Sequence, residues 1–218
     1  MTLDLFSEED ARQPPRTEQI AAQAFVLRGF ALPWIEALLP PLREVLKSAP
    51  FRRMVTPGGR TMAVALSNCG ELGWISDQQG YRYSAIDPRT GQLWPALPEP
   101  IRALAMEAAL VAGFADFNPD ACLVNRYLPG TRLTLHQDRN ERDFSAPVVS
   151  VSLGLPAVFA LGGLERSDRT RRVPLLHGDV MVWGGVDRLR YHGVLPLAHG
   201  THPVMGAQRI NFTLRQAG

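Results

Sequence analysis

The stretch "PVVSVSLGLPAVFALGGLERSDRTRRVPLLHGDVMVWGG", residues 147–185, decides the fold class. Its apolar runs, "PVVSVSLGL", "AVFALGG", "RRVPLL" and "DVMVWGG", are short, rich in Val and aromatics, and separated by Gly, Asp and Pro. Runs of that length bounded by turn residues read as strands rather than helices. The same texture continues outward, upstream in "ACLVNRYL" and "RLTLHQ" and downstream in "HGVLPL" and "RINFTLRQ". Many short strands with turn signals between them predict a sandwich or barrel.

Before residue 120 the pattern changes. "AAQAFVLRGF" predicts a first strand, and "PWIEALLPPLREVLKSAP" a helix interrupted near Pro40 and Pro41. "EPIRALAMEAALVAGF" has helical periodicity with a stop at Gly113. Between these helices, "VTPGGRTMAVALSNCGELGWISDQQGYRYS" is rich in Gly, Ser, Asn and aromatics, which predicts hairpins and loops rather than core. The helices are expected on one outer face of the strands. The class is α+β, mainly β.

The bulk numbers fit one domain with a real core. The chain has 218 residues, 45% apolar and 20% charged. No apolar run approaches the roughly 18 residues that span a bilayer. The acidic start, "MTLDLFSEED", lacks the basic region of a secretory leader, and two cysteines, Cys69 and Cys122, make no disulfide framework. A cytoplasmic, monomeric protein with no membrane contact is expected. The net charge of +2 does not argue for nucleic acid by itself, but Lys47 is the only lysine among 23 basic residues. Arginine suits planar recognition of carboxylate and phosphate; a GC-rich coding sequence would give the same bias.

"TRLTLHQDRNERD", residues 131–143, places His136 and Asp138 two apart at a strand end. Side chains two apart on a strand share a side, so both can grip one ion. Among the other histidines, His177 sits in a turn, His199 and His202 in a Gly- and Pro-marked loop, and His192 at a strand start in "RYHGV". Two histidines and a carboxylate on one face form the triad of non-haem Fe(II) oxygenases, but a lone His-x-Asp is as readily a solvated strand end. Ligands at strand ends should be removable without loss of the core.

The last strand adds to this. "RINFTLR" puts Arg209, Asn211, Thr213 and Arg215 on one side and Ile210, Phe212 and Leu214 on the other. Buried arginines need carboxylate partners, and a dicarboxylic acid would serve both. An exposed face pairing with surface acids explains the alternation equally well. In "LVNRYL", Asn125 and Tyr127 also share a face and can hydrogen-bond carboxylate oxygens.

Taken together, "NRY", "LHQD", "SVSLGLPAVFALGG", "HGDVMVWGG", "RYHG" and "RINFTLRQ" resemble the AlkB family of Fe(II)- and 2-oxoglutarate-dependent nucleic-acid dealkylases, close to its bacterial prototype, over nearly the whole chain. Residues 1–18, polar and containing "RQPPR", read as a flexible arm, and the resemblance implies a double-stranded β-helix (jelly roll) over residues 19–218 with a nucleotide-recognition lid at about 52–86. It implies His136, Asp138 and His192 as iron ligands. Asn125, Tyr127, Arg209, Asn211 and Arg215 would contact 2-oxoglutarate, Arg209 at the distal carboxylate and Arg215 at the one beside the keto group. With O2 as the second co-substrate, the implied reaction demethylates bases such as 1-methyladenine and 3-methylcytosine in DNA, single-stranded or with a flipped base, or in RNA. Trp74, Tyr81 and Arg166 match substrate contacts, and Thr56, Arg60 and Arg139 are candidates for the phosphate backbone. The prototype carries an acid where this chain has Asn140, and Glu141 or Asp143 could swing in to replace it. A zinc hydrolase using the same triad would leave Arg209 and Arg215 unexplained, and a non-catalytic jelly-roll module would leave the triad unexplained.

Overall fold

The computed structural model describes residues 16–218. In chain order the elements are β1 (Arg16–Ala21), β2 (Ala24–Arg28), α1 (Ile35–Ser48), β3 (Ala65–Gly70), β4 (Gly73–Asp77), β5 (Gly80–Ser84), α2 (Glu99–Val111), β6 (Ala121–Tyr127), β7 (Leu133–His136), β8 (Val148–Gly154), β9 (Ala157–Leu161), β10 (Arg171–Leu175), β11 (Val180–Trp183), β12 (His192–Val194) and β13 (Arg209–Arg215). They form a seven-stranded sheet in the order β1-β2-β11-β8-β13-β6-β3, a four-stranded sheet β10-β9-β12-β7, and the β4-β5 hairpin. The larger and smaller sheets face each other as a jelly roll.

Period-two alternation sorts the large sheet's side chains into two cores. Cys122, Val124, Val149, Val151, Leu153, Val180, Val182, Ile210, Phe212 and Leu214 point outward and pack beneath α1 and α2, against Leu38, Leu42, Val45, Ile101, Leu104 and Ala108. Val26, Leu66, Leu123, Tyr127, Met181 and Trp183 point inward and meet Phe159, Leu161, Val173, Leu175 and Val194 of the small sheet. The predicted strands from "ACLVNRYL" onward are all present, as is the second helix, which stops before Gly113 at φ +90°.

Four expectations are corrected. "AAQAFVLRGF" holds the second strand, not the first, because it folds back antiparallel on β1. The 1–18 arm falls mostly outside the described residues, and Arg16, Thr17 and Glu18 at its end belong to β1. α1 runs without interruption through Pro40 and Pro41. The carbonyls that these prolines leave without an N–H partner belong to exposed Glu36 and Ala37, where water can serve, while Leu38, Leu42 and Val45 hold the buried stripe. Finally, the segment read as loops and hairpins contributes core: β3 is buried at every position and edges the large sheet by pairing with β6. Its polar residues are satisfied, Ser67 donating to the Ala49 carbonyl and Asn68 bonding both backbone groups of Trp74. Elsewhere in 52–86, Met54, Val64 and Ile75 also enter the inner core, while Thr56, Arg60 and Tyr81 line a cavity.

Candidate active site

β7 and β12 bring the two histidines together. They pair antiparallel with His192 opposite His136. The approach needs Gly193, since a Cβ there would lie 2.6 Å from the Leu133 carbonyl oxygen. Each imidazole donates Nδ1–H to a backbone carbonyl, His136 to Thr134 and His192 to Arg190, both at 2.9 Å. That fixes the tautomer and leaves each Nε2 lone pair free. Both Nε2 atoms face Asp138, at 3.7 Å from Oδ1 and Oδ2 respectively, and the donor atoms of all three residues lie within 4.8 Å of one another. Phe159 stacks on the His192 ring and Trp183 meets it edge-on. Burial and the neighbouring His136 push His192 down to about 4 despite Asp138, so it is neutral at pH 7 and can ligate.

Asp138 is buried at the end of a charged cluster. Arg215 grips its Oδ2 with Nη2 at 2.7 Å and Nε at 3.0 Å. Arg188 donates to the Asp138 main-chain carbonyl at 2.8 Å and to that of Ala146 at 3.0 Å. Glu141 lies between the two arginines, 3.2 Å from Arg188 Nη2 and 3.4 Å from Arg215 Nε. Two acids and two arginines balance, as buried charge requires. Burial alone would raise the Asp138 carboxyl, but Arg215, with His192, His136 and Arg188, holds it well below the usual carboxylate range. Glu141 cannot swing toward a base while it serves this cluster, and Asp143 is exposed and tied to Ser145.

The inner face of β13 lines the same cavity, of about 860 Å³. Arg209 and Arg215 are 1% and 5% exposed, so they do not pair with surface acids. Arg209 donates Nη2 to Ser152 Oγ at 3.0 Å and stands over the Tyr127 ring, while among the described residues its buried Nε and Nη1 make no hydrogen bond. Asn125 donates to Asn211 and Thr213, and Asn211 donates to Ser150 Oγ and the Val151 carbonyl. Asn211 is therefore a brace whose hydrogen-bonding capacity is used within the sheet.

The predicted substrate residues Thr56, Arg60, Trp74, Tyr81, Arg139, Asn140 and Arg166 all line this cavity. Trp74 and Tyr81 stack on each other across the hairpin, with centroids 5.6 Å apart. Asn140 fastens them, accepting from Trp74 Nε1 at 3.2 Å and donating to the Tyr81 carbonyl at 3.4 Å. Arg166 lies over Tyr191, which also faces the cavity. The sequence reading missed Tyr83, Arg188, Ser150 and Ser152. The alternation in "VSVSL" and "YRYS" carried a signal for the serines and Tyr83, whereas nothing local marks Arg188.

The donor set suits Fe(II): two imidazole nitrogens and one carboxylate oxygen, on one side of a cavity with room for further ligands. The buried, partner-free arms of Arg209 suit a carboxylate entering that cavity. A zinc hydrolase would use only the first feature.

Comparison with known proteins agrees. The profile of the 2OG-Fe(II) oxygenase superfamily matches residues 23–215. The alpha-ketoglutarate-dependent dioxygenase AlkB of Escherichia coli strain K12 is 54% identical over 216 residues, 99% of this chain and 98% of that one. The human nucleic acid dioxygenase ALKBH1 is 33% identical over 125 residues, 57% of this chain and 32% of its own. The solved structure of OsALKBH1 superposes with a TM-score of 0.79 at 25% identity, covering 92% of this chain and 100% of that one.

Proposed function

Because the chain belongs to the AlkB family of 2OG-Fe(II) oxygenases, we propose that it removes N-methyl groups from bases of single-stranded or flipped-out DNA, 1-methyladenine and 3-methylcytosine among them, with RNA as a second substrate. The observation that carries this reading is the sharing of one cavity by the His136, Asp138 and His192 donors, the partner-free arms of Arg209 and the Trp74–Tyr81 stack. His136, Asp138 and His192 would hold the iron. With 2-oxoglutarate and O2 the iron supplies an oxidant that hydroxylates the N-methyl group, leaving succinate, CO2, formaldehyde and the repaired base.

The protein's own part is binding and orientation. Arg209 receives the distal carboxylate, with Tyr127 and Asn125 beside it. Arg215, whose Nε and Nη2 hold Asp138, has Nη1 left for the carboxylate next to the keto group. A methylated ring nitrogen makes the base cationic, and the faces of Trp74 and Tyr81 attract such a cation. Arg166, Arg60, Thr56 and Arg139 surround the mouth where phosphates would lie. The hairpin and the 52–61 loop act as the lid. The protein works as a monomer in the cytoplasm.

Succinate and formaldehyde release, measured with Fe(II), 2-oxoglutarate and methylated single-stranded DNA, duplex DNA or RNA, tests the reading. No succinate with any of these would refute it. Within the assay, Arg209→Ala should raise the half-saturating 2-oxoglutarate concentration by about thirtyfold or more, matching the ~2–5 kcal/mol lost when one member of a buried charged pair is removed. An unchanged half-saturation point means that Arg209 does not receive the co-substrate.

A further inference from the structure

The loop that follows Asp138 is bonded to the hairpin as well as to the metal carboxylate. Asn140 makes its two hydrogen bonds to Trp74 and Tyr81. Its neighbour Glu141 accepts from the Tyr83 hydroxyl at 2.7 Å. Tyr83 lies opposite Trp74 in the β4-β5 register, so both point to one face of the hairpin. Burial, together with Glu141 and Asp138, keeps the Tyr83 hydroxyl protonated well above its ordinary range, with Arg215 opposing. It therefore donates, and Glu141 remains the acceptor.

Glu141 in turn touches Arg215, and Arg215 grips Asp138. An unbroken line of polar contacts thus runs from the hairpin to the carboxylate between the two histidines. It passes through buried groups, where solvent screens least and hydrogen bonds reinforce one another. Glu141 is only 7% exposed and serves three partners, so a shift at either end cannot be absorbed by a freely turning side chain.

We propose that Tyr83 is a positioning residue which, through Glu141 and Arg215, couples the seating of the β4-β5 hairpin to Asp138, so that metal held at Asp138 steadies the hairpin and a seated hairpin favours metal. The inference rests on the metal reading of His136, Asp138 and His192 above. A cation on Asp138 fixes Arg215 and Glu141, and with them the loop to which Tyr83, Trp74 and Tyr81 are bonded. Coupling between two sites is reciprocal, so loss of the link must show at both ends.

The test uses the whole protein with Mn(II) alone, a redox-stable probe for an N/O site, and no 2-oxoglutarate. Hydrogen exchange is followed at the amides of residues 73–84, and Mn(II) affinity by titration. In the wild-type protein Mn(II) should slow hairpin exchange severalfold. Tyr83→Phe, which removes only the hydroxyl, should still bind Mn(II), severalfold more weakly, while its hairpin exchange no longer responds to the metal. Glu141→Gln, which keeps an acceptor for Tyr83 but loses the charge toward Arg215, should uncouple in the same way. A wild-type hairpin indifferent to Mn(II), or a Tyr83→Phe hairpin that responds as the wild type does, overturns the coupling. His136→Ala separates the two readings: if it binds Mn(II) as tightly as the wild type, the metal site itself has failed and the inference falls with it.

Discussion

Asp138 illustrates what one residue can be asked to do. Its spacing from His136 left a shared ion and a solvated strand end equally open, the family resemblance decided between them, and the structure brings both to His192 although β7 ends at His136. What the spacing could not convey is that Asp138 also neutralises Arg215 in a buried cluster. The expectation that a ligand at a strand end can be deleted harmlessly is therefore revised. Asp138→Ala should destabilise the protein by about 3–5 kcal/mol, since it strands a buried guanidinium. Asp138→Asn, which still offers Arg215 an oxygen, should cost less, and neither variant should turn over. Urea unfolding of both checks this, and equal midpoints would show that Arg215 does not depend on the carboxylate. A second residue lies away from the site. His177 accepts the Gly154 N–H and packs against the His202 ring. Burial and His202 push it down to about 4. Unfolded, it titrates near 6.5. Between those values the unfolded chain binds more protons, so this stability is complete above about pH 6.5 and is lost as pH falls toward 4. The melting temperature should drop more between pH 7 and pH 4.5 in the wild type than in His177→Gln; equal drops would remove His177 from the acid response.

At the level of elements, the strands from β6 onward and α2 were legible because their periodicity matches the different surroundings of their two faces. β13 is the clearest case: Arg209, Asn211, Thr213 and Arg215 line the cavity while Ile210, Phe212 and Leu214 enter the helix-covered core. α1 was misjudged because local sequence shows where prolines remove hydrogen bonds but not that the abandoned carbonyls face water. β3 was misjudged because Ser67 and Asn68 look like loop residues until their buried partners are seen. The β4-β5 hairpin was legible as hairpin and loop sequence, but its fastening by Asn140 was not. That fastening bears on lesion choice. Asn140→Asp would still accept from Trp74 but would lose the 3.4 Å bond to the Tyr81 carbonyl. A long hydrogen bond on an exposed residue is worth no more than about 0.5–1.5 kcal/mol, whereas a carboxylate beside a cationic base roughly doubles the strength of its own bond. Asn140→Asp should therefore lower KM for 1-methyladenine severalfold and barely change that for neutral 1-methylguanine, compared at fixed ionic strength. Parallel changes for both bases would mean that the side chain acts through the hairpin alone.

Across the whole molecule, charge is nearly balanced, yet Arg60, Arg132, Arg139 and Arg166 all stand around one opening. Composition gave no warning of this, because +2 spread evenly and +2 with a basic mouth are the same number. If Arg139 meets a phosphate, Arg139→Ala should weaken binding to single-stranded oligonucleotides of any sequence and flatten the plot of log affinity against log salt by ~0.7. An unchanged slope would place Arg139 off the backbone. The strand order carries one more consequence. β13 lies in the middle of the large sheet, with β8 on one side and β6 on the other, although it is the last strand in sequence. Without residues 209–215 the large sheet would divide into β6-β3 and β8-β11-β2-β1, each with a bare edge. The strand that joins them also brings Arg209 and the partner of Asp138. Closing the large sheet and delivering the two cavity arginines are therefore the work of one strand.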